Sequence, residues 1–216
     1  MAINPTEADI IFRHFPDLSP DQQHSFRQLF SLYSEWNAKI NVISRKDMEH
    51  FYERHVLHAL MIARFITFRK GTKIMDLGTG GGFPGIPLAI LFPDCRFHLI
   101  DSIGKKLTVV QSVADSLGLQ NIKTFHARAE ESPYTYDFVV SRAVAPFIDL
   151  AAWTKGKYNP KSLHDIPNGL ICLKGLQIDD PKPRGSSLRC IPLSTYCDEP
   201  FFKEKALYHL TFPRNH

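Results

Sequence analysis

Lys73-Ile-Met-Asp76-Leu-Gly78-Thr-Gly80-Gly81-Gly82-Phe83-Pro84-Gly85 is the stretch on which the reading of this chain turns. A short apolar run ends in an acid, a glycine turn follows, and a helix opens. Glycines let the backbone bend sharply and approach a ligand closely, where a Cβ would stand in the way. The helix that follows offers unpaired N–H groups and the positive end of its dipole to an anion. Pro84 suits the first turn of that helix.

Outward from this turn, apolar runs and helical patterns alternate. Strands are expected at Lys73–Leu77, Arg96–Ile100, Ile122–Phe125, Asp137–Ser141 and Leu170–Leu173. Helices are expected around 85–92, over Lys105–Leu117 with Gly118 as its stop, and from Pro146 to Thr154. Alternation at this spacing predicts crossover connections and a parallel sheet covered on both faces. Leu188–Leu193 and Ala206–Phe212 suit two strands without a helix between them, an antiparallel pair at the sheet edge. The segments 156–168 and 179–187 read as loops. Residues 1–70 read as a helical segment packed on the core, and 71–216 as the core itself. Ser19 and Gln22 make a capping box with Pro20 at the first helical position. Phe26, Leu29, Phe30, Tyr33, Trp36 and Ile40 then form one apolar stripe. A second helix is expected from Asp47 through Ile66, with Phe51, His55, His58 and Ile62 on one side and Gly71 as its end.

Spacing separates the ligands such a turn can hold. A Walker loop needs Gly-Lys-Ser/Thr, and no lysine follows these glycines. The dinucleotide pattern G-x-G-x-x-G fails from Gly78, because Phe83 stands sixth; it matches from Gly80, two residues deeper and with proline inside. The better fit is acid-x-Gly-x-Gly-x-Gly at Asp76, Gly78, Gly80 and Gly82, the pattern of class I S-adenosylmethionine (SAM) methyltransferases. Asp101 closes the next strand, where a carboxylate accepts hydrogen bonds from ribose hydroxyls. It supports an adenosine moiety without choosing between NAD and SAM. The expected architecture is therefore α/β and Rossmann-like, a mostly parallel sheet preceded by a helical segment.

Composition bounds the rest. The 216 residues are 44% hydrophobic and 22% charged, with 16 Phe, enough for a sizeable core without disulfides. Disorder, collagen-like repeats and coiled coils are excluded. The longest apolar run, Ile86–Phe92, is interrupted by Pro87 and is far short of a membrane span. No basic region followed by an apolar stretch opens the chain, so the expected compartment is the cytoplasm. Cys95, Cys172, Cys190 and Cys197 show no C-x-x-C spacing and no histidine pattern beside them; reduced thiols and no metal are expected. The net charge of +4 comes from residues 151–216, which hold ten Lys/Arg against six Asp/Glu. That excess is weak support for a polyanionic partner.

With these residues in view, the chain resembles the RsmG (GidB) family of bacterial small-subunit (16S) ribosomal RNA guanine-N7 methyltransferases. The motifs are YSEWNAKINVISRKD (33–47), RHVLHAL (54–60), IMDLGTGGGFPGIPLAI (74–90), DSIGKK (101–106), ARAEE (127–131) and SRAVAPF (141–147). They occur in the family's order between about Leu29 and Leu173. The resemblance implies SAM contacts at Gly78, Phe83, Ala129, Glu130 and Arg142, with Phe83 lining the pocket. Two departures stand out. His58 and Ala59 replace the family's Asp-Ser pair after Arg54 and His55, and the last 40 residues resemble the family only loosely. His55 and His58, three apart, superficially suggest a metal; with no third ligand in view, a structural or RNA-facing pair is the better reading.

Guanine N7 carries a lone pair and no proton, so methyl transfer to it needs no general base. Ser141-Arg-Ala-Val-Ala-Pro stands where amino-methylases carry Asn-Pro-Pro-Tyr. Arg142 could orient the guanine through its O6 edge. N7 lies in a deep, narrow groove of A-form RNA, so the target base must be accessible or splayed out. Arg45, Lys46, Arg54, His55, Lys105, Lys106, Lys155 and Lys157 are the candidates to contact 16S rRNA, in the small subunit or its precursor; Lys161, Lys182, Arg184 and Arg189 are further cations in reach. A monomer is expected. Two other readings stay open: an NAD(P)-dependent oxidoreductase, and a non-catalytic SAM-binding assembly factor.

Overall fold

The computed structural model describes residues 8–213; the stretch read for a signal begins outside them, and the Arg45 side chain is likewise not described. Helix α1 (Asp9–His14) precedes α2 (Pro20–Asn37), which opens on the expected capping box: Ser19 Oγ accepts from the Gln22 N–H and the Gln22 side chain accepts from the Ser19 N–H. Phe26, Leu29 and Tyr33 are fully buried along its inner face, each worth about 1.5–3 kcal/mol of apolar burial. Ile40 lies beyond the helix end at Asn37.

The second expected helix is broken into parts. Ser44 caps a single turn, α3 (Arg45–Met48), by accepting from the Asp47 N–H. A π-helical segment, Tyr52–Leu57, then runs directly into α4 (His58–Phe65). The helix ends at Ile66, whose extended backbone (φ −143°) carries the chain to Phe68, buried against Phe92 and Phe138. Gly71 therefore turns the chain into the first strand instead of ending the helix; its φ is +83°.

Seven strands form one sheet: β1 (Lys73–Leu77), β2 (Arg96–Asp101), β3 (Ile122–His126), β4 (Phe138–Arg142), β5 (Gly169–Gly175), β6 (Ser187–Pro192) and β7 (Lys205–Thr211). Their spatial order is β3-β2-β1-β4-β5-β7-β6. The first five pair in parallel, and β7 lies antiparallel between β5 and β6. Helices α5 (Gly85–Leu91), α6 (Gly104–Ser116) and α7 (Phe147–Trp153) follow β1, β2 and β4. Pro84 stands at the N-cap of α5, one residue before the helical position expected of it.

Strand residues alternate between two apolar layers. Ile74, Phe138 and Val140 face the layer shared with the N-terminal helices, while Met75, Leu77 and Val139 face the layer under α7. Burial on both faces is why these strands read as continuous apolar runs. Among the described residues no helix is long and apolar enough to cross a membrane.

Candidate active site

The strand order reverses between β1 and β4, and in such sheets ligands bind outside the carboxyl ends of the strands at that point. A cleft of about 480 Å³ opens there, a size within the usual range for small-molecule sites. It is lined by Leu77 and Gly78 at the end of β1, Ile100, Asp101 and Ser102 at the end of β2, Ala127–Glu130 after β3, Val144 after β4, Lys106 and Trp153. Gly78, Asp101, Ala129 and Glu130, four of the residues expected to bind cofactor, thus face one space.

The glycine turn is held from three sides. Asp76 is buried beneath it, and its Oδ2 accepts from the Thr79 hydroxyl (2.6 Å) and the Gly85 N–H (2.8 Å). Asp101 Oδ2 accepts from the Gly80 N–H and Oδ1 from the Ile103 N–H, each at 2.9 Å. Tyr33, reaching in from α2, donates its hydroxyl to the Gly81 carbonyl at 2.6 Å. Gly78 has φ +65°, and a Cβ there would sit 2.8 Å from a Val144 methyl packed against it. Gly82 has φ +96°, and its Cβ would meet Ile86 and the Tyr33 hydroxyl within 2.9 Å. The turn requires glycine at these positions for steric as well as conformational reasons.

Asp76, Gly80, Gly82, Phe83 and Arg142 are not in the cleft wall. Asp76, Gly80 and Gly82 shape the turn from behind. Phe83 is buried behind it, its ring 5.0 Å from that of Tyr33 and 5.4 Å from that of His55. The helical segment encloses that side of the loop. The Arg142 guanidinium lies 5.1 Å over the Phe83 ring, and donates to His55 Nδ1 (3.1 Å) and the Arg54 carbonyl (3.4 Å). It points toward the helical segment. Burial pulls the Arg142 pKa down to about 10, against the pull of Asp76 and Tyr33. Burial likewise pushes the Asp76 carboxyl up to about 7, although hydrogen bonds from Thr79 and Gly85 and the charge of Arg142 favour its ionised form. Desolvation and the Arg142 charge lower His55 to about 4.

The RNA-contact candidates divide in the same way. Lys46, Lys105 and Lys155 are exposed, and Lys106 lines the cleft. Arg54 is drawn to Asp47 (3.4 Å) and the Phe201 ring, and Lys157 donates to the Ser132 carbonyl (2.6 Å). His55 is the acceptor of Arg142 and stacks on Phe51. These three are engaged by the protein itself. His58 is buried edge-on against Phe201 and Phe202, and burial lowers its pKa well below the usual value, which makes it a core histidine. Among the described residues the fold does gather one set of metal-binding residue types, His14 with Cys197 and Glu199, although His14 lies 183 residues from Cys197.

Arg128, Val144 and Trp153 line the cleft without having been singled out. Arg128 and Val144 sit inside quoted motifs, whereas Trp153 carries no spacing that points to a site. Tyr33 reads in sequence as one more apolar position of a helix.

A parallel sheet with an antiparallel edge pair, a cleft at its switch point and an acid-x-Gly-x-Gly-x-Gly turn tied to Asp101 define a class I SAM-dependent methyltransferase fold. Solved structures agree on that fold. TrmN from Thermus thermophilus aligns with a TM-score of 0.54 at 16% identity, over 72% of this chain and 48% of its own. A mutant MtNAS in complex with S-adenosylmethionine aligns at 0.57 and 14% identity, over 98% of this chain and 85% of its own. The family model for GidB, rRNA small subunit methyltransferase G, matches residues 22–174, and the chain belongs to that family. Among relatives of the same name, the protein of Bacteroides thetaiotaomicron is 54% identical over 202 residues, 93% of this chain and 98% of the relative. That of Bacteroides fragilis is 53% identical over 203 residues, 94% and 98% of the two chains.

Proposed function

We propose that this chain methylates N7 of a guanine in 16S ribosomal RNA with SAM as methyl donor, acting as a monomer in the cytoplasm. SAM-dependent rRNA methylation is the family's activity, and identity of about half over nearly the whole chain carries it here. Neither the oxidoreductase nor the non-catalytic assembly factor finds support in these relatives. The observation that carries the reading at the site is the cleft that gathers Gly78, Asp101, Ala129 and Glu130. A Cβ at Gly78 would collide with the Val144 side chain, so only glycine lets these two walls of the cleft pack this closely.

When bound, the cofactor supplies an electrophilic methyl group on a sulfonium. The chain's part is to position. Asp101 presents a carboxylate whose oxygens each hold one backbone N–H and keep further acceptor capacity for ribose hydroxyls. Ala129 and Glu130 frame the far side of the cleft, and Gly78 keeps its floor open. A lone pair at N7 needs no proton removed, so orientation of the two reactants is the main catalytic resource. Lys106 at the cleft and its exposed neighbour Lys105 would hold RNA phosphates. Division of the chain near residue 70 into a helical segment and a methyltransferase core belongs to the same reading.

The test is incubation with methyl-labelled SAM and small subunits lacking N7-methylguanosine, followed by digestion and identification of the labelled nucleoside. Label in N7-methylguanosine is expected. Label in any other nucleoside overturns the N7 assignment, and no label on subunits, precursors or naked rRNA overturns the substrate.

A further inference from the structure

His14 meets Cys197, 183 residues away in sequence, and its near neighbour Glu199 where the N-terminal helix touches the connection between β6 and β7. His14 is the last residue of α1; Cys197 and Glu199 lie between the 3₁₀ turns Leu193–Thr195 and Pro200–Glu204. His14 Nε2 lies 2.9 Å from Glu199 Oε1 and 3.8 Å from Cys197 Sγ, and Cys197 Sγ lies 2.6 Å from Glu199 Oε2. One atom from each side chain falls within 4.8 Å of the other two. None of the three lines the cleft.

We propose that His14, Cys197 and Glu199 form a binding site for a zinc-class divalent cation, with water as its fourth ligand. An imidazole nitrogen, a thiolate and a carboxylate oxygen are the ligand types of tetrahedral zinc. Sulfur and nitrogen in one set disfavour magnesium and calcium, which take oxygen ligands. Zinc–ligand bonds of about 2.0–2.3 Å place tetrahedral ligands roughly 3.3–3.6 Å apart. The His14–Cys197 separation is close to that already. The Glu199 carboxylate must move outward by under about 1 Å, a rotamer adjustment open to a side chain 23% exposed. The same exposure admits the water, while Cys197 itself is buried. Binding forms a zinc–sulfur bond and releases the thiol proton to solvent. The cation would tie the N-terminal helix to the edge of the sheet, as a staple independent of methyl transfer.

The experiment is titration of the full chain, stripped by a chelator, with Zn²⁺ against a chromophoric competitor and separately with Co²⁺. One equivalent of Zn²⁺ is expected to bind with a Kd below about 1 μM and to raise the thermal midpoint, as a ligand of the native state must. Co²⁺ is expected to show a thiolate charge-transfer absorption. H14A and C197S should each weaken zinc at least about tenfold, the usual worth of disturbing a metal shell. C190S, which removes the exposed thiol, should leave binding unchanged. Binding that survives C197S overturns the site. So does wild-type protein with no zinc bound and no cobalt–thiolate band, a readout that does not depend on any variant folding.

Discussion

The hydroxyl of Tyr33 donates to the carbonyl of Gly81 across 48 residues of sequence, at 2.6 Å in a buried setting. The first long helix therefore grips the glycine turn from behind. The Tyr33 ring also abuts Phe51 and Phe83, so the contact joins the helical segment and the loop in one packed unit. Tyr33→Phe keeps the ring and orphans a buried carbonyl, which costs about 1–3 kcal/mol. The expected result is lower stability in urea and weaker SAM binding by calorimetry. Wild-type values for both would show that the helix does not hold the turn.

Asp101 braces the turn through Gly80 and also lines the cleft. Asp101→Ala is expected to weaken SAM binding by about 1.5–3 kcal/mol, the worth of hydrogen bonds to a charged group. Calorimetry reads this directly. Unchanged affinity removes Asp101 from the site.

Arg142 gives a sharper contrast between two roles. Its guanidinium is committed to His55, the Arg54 carbonyl and the Phe83 ring, so it acts through the loop. Arg142→Ala is expected to raise KM for SAM about ten- to a hundredfold, in line with charged hydrogen bonds, while kcat at saturating SAM falls little. A lowered kcat with unchanged SAM affinity would restore the guanine-orienting role.

Stability should fall on acidification. Burial holds His55, His98 and His209 each at about 4, below the ordinary 6.5. Between pH 6.5 and 4 the unfolded chain takes up protons on these imidazoles that the native state refuses, so their stabilisation is present above 6.5 and lost as pH drops. Asp76 opposes them: raised to about 7, it keeps a proton in the native state that the unfolded chain releases above 3.8. Three groups outweigh one. Urea unfolding across that range should show a falling midpoint, and a flat or rising one would contradict these assignments.

Much of the fold is legible in residues that are neighbours in sequence. Strand β1, the Ser19–Gln22 capping box and the Gly118 stop each depend on interactions within a few positions, so local pattern suffices to find them. The second N-terminal helix was harder to read, because its apolar run continues through a π segment whose geometry leaves no mark on periodicity. The cleft was half legible: Asp101 closes a strand, Gly78 directly follows one and Val144 sits in a recognisable motif, whereas Trp153 reaches it only through the placement of α7.

The sequence by itself determined the alternation of strands and helices, the acid-glycine turn and the family to which the chain belongs, because short-range periodicity and ordered motifs encode all three. Tertiary structure alone decided that Phe83 and Arg142 lie behind the turn, that Tyr33 holds it, and that His14 meets Cys197 and Glu199. Those relationships arise when the helical segment is packed against the sheet to bury its apolar face. No spacing along the chain specifies which polar groups that packing brings within hydrogen-bonding distance.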